Sequence, residues 1–132
     1  MSYSAALIAR FLVTSFFAVV FLQSAIDKLV DREGNLEFFK GHFGASPFPE
    51  ELVPWLLSAL CGLEMVAGGL CALGIVSGSW ARGGFGVAAL GVAVSGVALV
   101  ALLLGQRLAK DYDGAAVIAT YFAVALLGLS AF

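Results

Sequence analysis

The chain has 132 residues, of which 61% are hydrophobic and only 12% charged, with a formal net charge of −2. A water-soluble domain carries about 45–50% apolar and about 25% charged residues, so the composition excludes an ordinary soluble domain and points to a single integral membrane domain, 1–132. The slightly negative balance offers no basic surface for nucleic acid and no polybasic tail for anionic lipid.

The first apolar segment runs from about Ala5 to Val30, and its only early cation is Arg10. It lacks the basic start of a secretory leader. Its end turns polar in the run Gln23-Ser24-Ala25-Ile26-Asp27-Lys28. On a helix Gln23 lies over Asp27 and Ser24 over Lys28, and Lys28 can also meet Asp31.

A longer link, 31–50, mixes charged residues with Leu36, Phe38, Phe39, Phe43 and Phe48. So many aromatics are poorly suited to a solvated tether. They predict an interfacial helix or partly inserted segment over about Leu36–His42, capping one end of the molecule. Phe38, Phe39 and Phe43 are candidates for docking a partner protein. Ser46-Pro47-Phe48-Pro49 then makes a stiff turn.

The second segment, about Glu51 to Gly78, is uncharged from Leu52 onward except for Glu64. The third runs from about Arg82 to Gly105, with Gly83-Gly84-Phe85-Gly86 as its helical entry, and the fourth from about Asp111 to Phe132. Each is close to the roughly 17–25 residues a spanning helix needs, and only helices or closed barrels satisfy the backbone in lipid. The short links at 78–81 and 106–110 make the last three helices antiparallel neighbours. The predicted fold is therefore all-α, an antiparallel four-helix membrane bundle with a short interfacial segment after its first helix. Trp55 and Tyr112 at one end, with Tyr3 and Trp80 at the other, match an aromatic belt. Small residues spaced by four, such as Gly68/Ala72, Gly74/Gly78 and Gly91/Ser95, allow close helix approach. They serve packing within the bundle or a homo-oligomer. Cys61 and Cys71 lie on one helix, about 15 Å apart along its axis, and cannot form a disulfide with each other.

Glu64 is the anomaly. A carboxylate near the bilayer midplane is costly, roughly 2.5–3.5 kcal/mol for the comparable Asp on the insertion scale. It needs a partner, a wet cavity or a proton. Candidate partners come from the charged-loop end: Gln23, Ser24, Asp27 and Lys28 on the first helix, Arg107 and Asp113 around the last turn, and Tyr121 at a depth comparable to Glu64. These eight residues can line one funnel that bottoms out at Glu64, a pocket for a quinone headgroup, a lipid, another small ligand or a proton. Alternatively the charges are interfacial ion pairs, and Glu64 is a protonated helix–helix hydrogen-bonding post unless a cation reaches it. Asp111 and Asp113 suit the first turn of a helix.

With one histidine, His42, haem ligation by two histidines of this chain is excluded, and His42 reads as an interfacial loop residue. No zinc cluster, phosphate loop or nucleophile–base motif is visible. No catalytic residue and no metal ligand is assigned, and no intrinsic cofactor is expected, although a quinone could bind.

Several short stretches resemble the DoxX family of small four-helix membrane proteins. They are Ser24-Ala25-Ile26-Asp27-Lys28, the Pro47/Pro49 entry, Glu64 followed by Gly68-Gly69 and Leu73-Gly74, and Gly105-Gln106-Arg107 with Asp111-Tyr112-Asp113-Gly114-Ala115-Ala116. Many relatives carry Gly where Ser24 or Ala25 stands here. The resemblance implies an accessory or scaffold subunit of a quinone-linked membrane redox complex, and it supplies no catalytic residues. Other subunits and the bilayer are the expected partners, and the bacterial cytoplasmic membrane is the expected location. Positive-inside counting puts the charged loops in the cytoplasm. Two other functions fit the residues. One is a small proton-coupled transporter using Glu64, and the other is a quinone-reactive subunit served by an external electron donor.

Overall fold

The computed structural model describes residues 1–132, all helices and connections with no strand. Helix α1 spans Tyr3–Val30, α2 Arg32–His42, α3 Val53–Ser77, α4 Ser79–Arg82, α5 Val87–Leu108 and α6 Tyr112–Leu129. Four stretches are long and apolar enough to cross a membrane: α1, α3 with its preceding 3-10 turn (Glu50–Ser77), α5 and α6. Large apolar side chains such as Leu12, Val19, Val76, Val97 and Leu127 stay exposed along them, as a lipid-facing surface requires. The protein is an integral membrane helical bundle.

Local chemistry sets the boundaries. Asp31 ends α1 and caps α2, its Oδ1 accepting from the Gly34 N–H at 3.2 Å. That cap starts α2 at Arg32, one turn before the predicted Leu36. Pro54 sits in the first turn of α3, where its missing N–H leaves no helical bond unmade. Gly78 ends α3 with φ +73°, the left-handed stop that glycine adopts without a Cβ penalty.

The third spanning helix begins at Val87, five residues after the predicted Arg82. Gly83 and Gly84 both have φ +71° and cannot continue a right-handed helix. They turn the chain so that the Gly84 N–H donates to the Phe132 carbonyl at 3.1 Å. Arg10 completes this end by donating from Nε to the Ala131 carbonyl at 2.7 Å, with its guanidinium 5.8 Å from the Phe132 ring.

Consecutive spanning helices are antiparallel. Helix α3 packs between α1 and α5, α6 packs on α5, and α1 closes the bundle more loosely against α5 and α6. The core holds Val13, Phe17, Phe21, Ala67, Cys71, Val92, Leu99 and Ala125. Phe17 and Phe21 stack with ring centroids 5.8 Å apart, and Phe16 meets Tyr121 edge-to-face at 5.6 Å, joining α1 to α6. Cys61 and Cys71 are free and buried.

Candidate functional site: a buried ion pair at the base of an aromatic-capped cavity

Glu64 lies near the centre of α3 and is 1% exposed. Lys28, in the last turn of α1, turns inward and does not pair with Asp31. Its Nζ donates to the Ser24 Oγ at 2.7 Å and to Glu64 Oε2 at 3.4 Å. Glu64 Oε1 is nearer the ammonium, at 3.1 Å. It lies off the hydrogen-bonding direction, though, and accepts from no group in the chain. A cation therefore does reach Glu64. The pair is held by charge and one weak hydrogen bond on the α3 side, and by a short bond to Ser24 on the α1 side. Two ions removed from water need this mutual proximity, because each alone would carry several kcal/mol of desolvation penalty.

The pair faces a cavity of about 410 Å³ lined by α1, α2, α3, α5 and α6. Its walls are mostly apolar, with Phe21, Leu60, Leu63, Leu99, Leu102 and Ile118 prominent. Small-ligand sites occupy this size range, about 300–1,000 Å³, with apolar walls and a few convergent polar groups. Tyr121 lines the cavity from α6. On the far side of the pair the interior is filled by Phe17, Ala67, Cys71 and Val92, all fully buried.

Helix α2 covers the charged-loop end. Phe38, Phe39, His42 and Phe43 all border the cavity. Phe43 is buried and packs edge-on to His42, their centroids 5.3 Å apart, while His42 stacks on Phe38 at 5.4 Å. Of the three phenylalanines suggested for partner docking, Phe43 and Phe39 thus turn inward, and Phe38 keeps 63% of its surface exposed.

Of the eight pocket candidates, Ser24, Lys28, Glu64 and Tyr121 line the cavity. The other four do not. Gln23 and Asp27 are exposed on a different face of α1, where Asp27 Oδ2 accepts from Asn35 at 3.4 Å. Arg107 is exposed with its guanidinium 4.7 Å from the Tyr112 ring, and Asp113 is exposed in the first turn of α6. Gln106 and His42 border the cavity without having been singled out from sequence. The signal for Gln106 was its register, seven residues beyond Leu99 on the same face of α5.

His42 belongs to a helix, and its Nε2 lies 3.1 Å from Asp111 Oδ2. Asp111 also caps α6, its Oδ1 accepting from the Gly114 N–H at 2.9 Å. That backbone bond, and then the His42 contact, hold the Asp111 carboxyl below its ordinary value of 3.8. A depressed carboxyl contributes stability above its unfolded pKa, and the contribution disappears as pH falls through the folded value. Protease protection of α2 should therefore fall in acid below the ordinary Asp range. Asp111→Asn should weaken protection at neutral pH and remove that acid limb, and an unchanged pH profile in the variant would refute the latch.

No cluster of three or more His, Cys, Asp or Glu side chains suited to a metal ion is present. Among known proteins, no curated protein and no solved structure matches the chain. Residues 4–111 match a family model, that of the methylamine utilisation protein MauE. The match takes in α1 to α5 with Ser24, Lys28, Glu64 and Gln106, and ends before Tyr121. The features that resembled DoxX hold as those of a small helical membrane protein, and with most of its length inside this match the chain belongs to the MauE family.

Proposed function

We propose that this MauE-family chain is an accessory subunit of a membrane redox complex. Its interior cavity holds the headgroup of a quinone-type or lipid-like ligand against the Lys28–Glu64 pair. The observation that carries this is the cavity itself, with its apolar walls, a buried charge pair, Tyr121 among its lining residues, and an aromatic helix over its mouth. Such a site grips an amphipathic molecule arriving from the bilayer. Membership of the family points the same way, because its description names a process, methylamine utilisation, and no reaction. The electron source, on this proposal, is another subunit. The membrane is the bacterial cytoplasmic one, with α2 on the cytoplasmic side.

A proton-coupled transporter would need Glu64 to communicate with both faces of the membrane. The packed layer of Phe17, Ala67, Cys71 and Val92 beyond it favours a one-sided pocket instead.

Two measurements test the proposal. Solubilised under mild conditions from native membranes, the chain should co-purify with other subunits, and recovery only as a free homo-oligomer would count decisively against the accessory role. The purified chain in lipid nanodiscs should bind a short-chain benzoquinone or its reduced form. Tyr121→Phe, which loses one hydrogen bond to the ligand, should weaken that binding by about tenfold or less. Absence of binding would refute the cavity assignment.

A further inference from the structure

Two fully buried side-chain oxygens in this protein accept no directed hydrogen bond: Glu64 Oε1, whose one partner is the Lys28 ammonium 3.1 Å away, and Gln106 Oε1. Both belong to residues that line the same cavity. One is deep, beside Lys28 in the middle of α3, and the other is near the mouth, close to the end of α5. Buried acceptors are almost always satisfied, and an exception calls for a missing partner. The two therefore mark where a ligand should bring hydrogen-bond donors.

The charges narrow the class further. Lys28 and Glu64 sum to zero, and the cavity's remaining titratable side chains are Tyr121 and His42, the latter directed at Asp111. A charged headgroup would enter this low-dielectric space with no counter-charge to meet it. The ammonium of Lys28 already gives two of its three N–H groups to Ser24 and Glu64 Oε2 and lies 3.1 Å from Glu64 Oε1, so a ligand carrying only acceptors must compete with the carboxylate for this donor.

Building on the cavity assignment above, we propose that the site is made for a neutral donor ligand, the reduced, hydroxyl-bearing form of an aromatic headgroup, so that it binds quinol in preference to quinone. A para-dihydroxy ring carries hydroxyls at opposite ends and can serve a deep and a shallow acceptor together. The oxidised ring sets carbonyl lone pairs against Glu64 Oε1. Gln106 can turn its amide over and present its NH₂ group, whereas the carboxylate of Glu64 has no donor to turn in. Glu64 thus sets the preference, and Gln106 holds the shallow end of either form. Only binding is proposed here, with no electron transfer within the chain.

The test uses the intact chain in lipid nanodiscs under anaerobic conditions, with a short-chain benzoquinol, the matching benzoquinone, and the dimethyl ether of the quinol as probes. The quinol should bind about tenfold more tightly than the quinone, the scale of one added hydrogen bond to a charged acceptor. For a two-electron couple that preference raises the midpoint potential of the bound form by about 30 mV. The dimethyl ether, with the same ring and no donor, should bind no better than the quinone. Gln106→Leu breaks no bond within the chain and should weaken quinol and quinone alike, by about threefold, so that the quinol preference itself persists. Equal affinity for quinol and quinone, or an ether as tight as the quinol, overturns this inference and leaves the cavity assignment standing. Failure of all three probes to bind overturns both.

Discussion

Replacing Lys28 with methionine should destabilise the protein by about 3–5 kcal/mol, the cost of stranding one member of a buried ion pair. Methionine fills a similar volume without the ammonium, so the loss falls on Glu64, which is 1% exposed and has no other cation within reach. Glu64→Leu alone should be damaging for the reciprocal reason, leaving Lys28 with Ser24 as its only partner. The informative variant is the double one. With both charges gone, neither desolvation penalty remains, and Ser24 can turn its hydroxyl to the carbonyl four residues back. Lys28→Met/Glu64→Leu should therefore recover most of the stability lost in either single variant, and could match the parent chain. Thermal or denaturant unfolding in mixed micelles measures all four corners of the cycle. Additive losses would show that the two side chains do not act as a pair. A double variant that folds as well as the parent and no longer binds ligand would show that the pair is kept for the cavity's chemistry and not for stability.

How much of this was legible in the sequence follows the strength of the local signals. The four spanning segments and their antiparallel order were plain, because a hydrophobic run must be helical in lipid and short links leave no other neighbour. The covering helix was recognisable from the aromatics of 36–43, although its start at Arg32 depended on the Asp31 cap. The Ser24–Lys28 contact followed from spacing on one helix. The Lys28–Glu64 contact did not, since it depends on how α1 and α3 rotate against each other. Rotation also decided three of the four misses. Phe21, Ser24 and Lys28 share one stripe of α1, and Leu99, Leu102 and Gln106 share one stripe of α5. Gln23, Asp27 and Arg107 each stand one position off a stripe, about 100° away around the helix. Polarity had nominated them, while the apolar periodicity carried the better information. His42 was illegible for another reason. Its partner Asp111 is distant in sequence, and nothing local signals that α2 folds back over the start of α6.

Rotation is also what separates two adjacent glycines, and it leads to a prediction that sequence alone cannot make. Gly68 and Gly69 both sit in α3. A Cβ on Gly68 would stand 2.8 Å from the backbone nitrogen of Leu22 and 2.8 Å from its Cγ, whereas a Cβ on Gly69 meets nothing within 4 Å. Backbone cannot step aside as a flexible side chain does, so any residue larger than glycine at position 68 must push α1 away from α3. Gly68→Val should cost about 3 kcal/mol or more, at the upper end for an overpacked core. The damage should also spread to the site, because a displaced α1 carries Ser24 and Lys28 away from Glu64. Gly69→Ala should be neutral or stabilising, by up to about 1 kcal/mol, since alanine is the better helix former and the space is open. Unfolding midpoints of the two variants in the same micelles, together with quinol binding, make the comparison. Equal tolerance at both positions would mean that α1 and α3 do not approach as closely as the Leu22–Gly68 contact requires. Loss of ligand binding in Gly68→Val, with binding kept in Gly69→Ala, would tie the close helix crossing directly to the cavity that the crossing shapes.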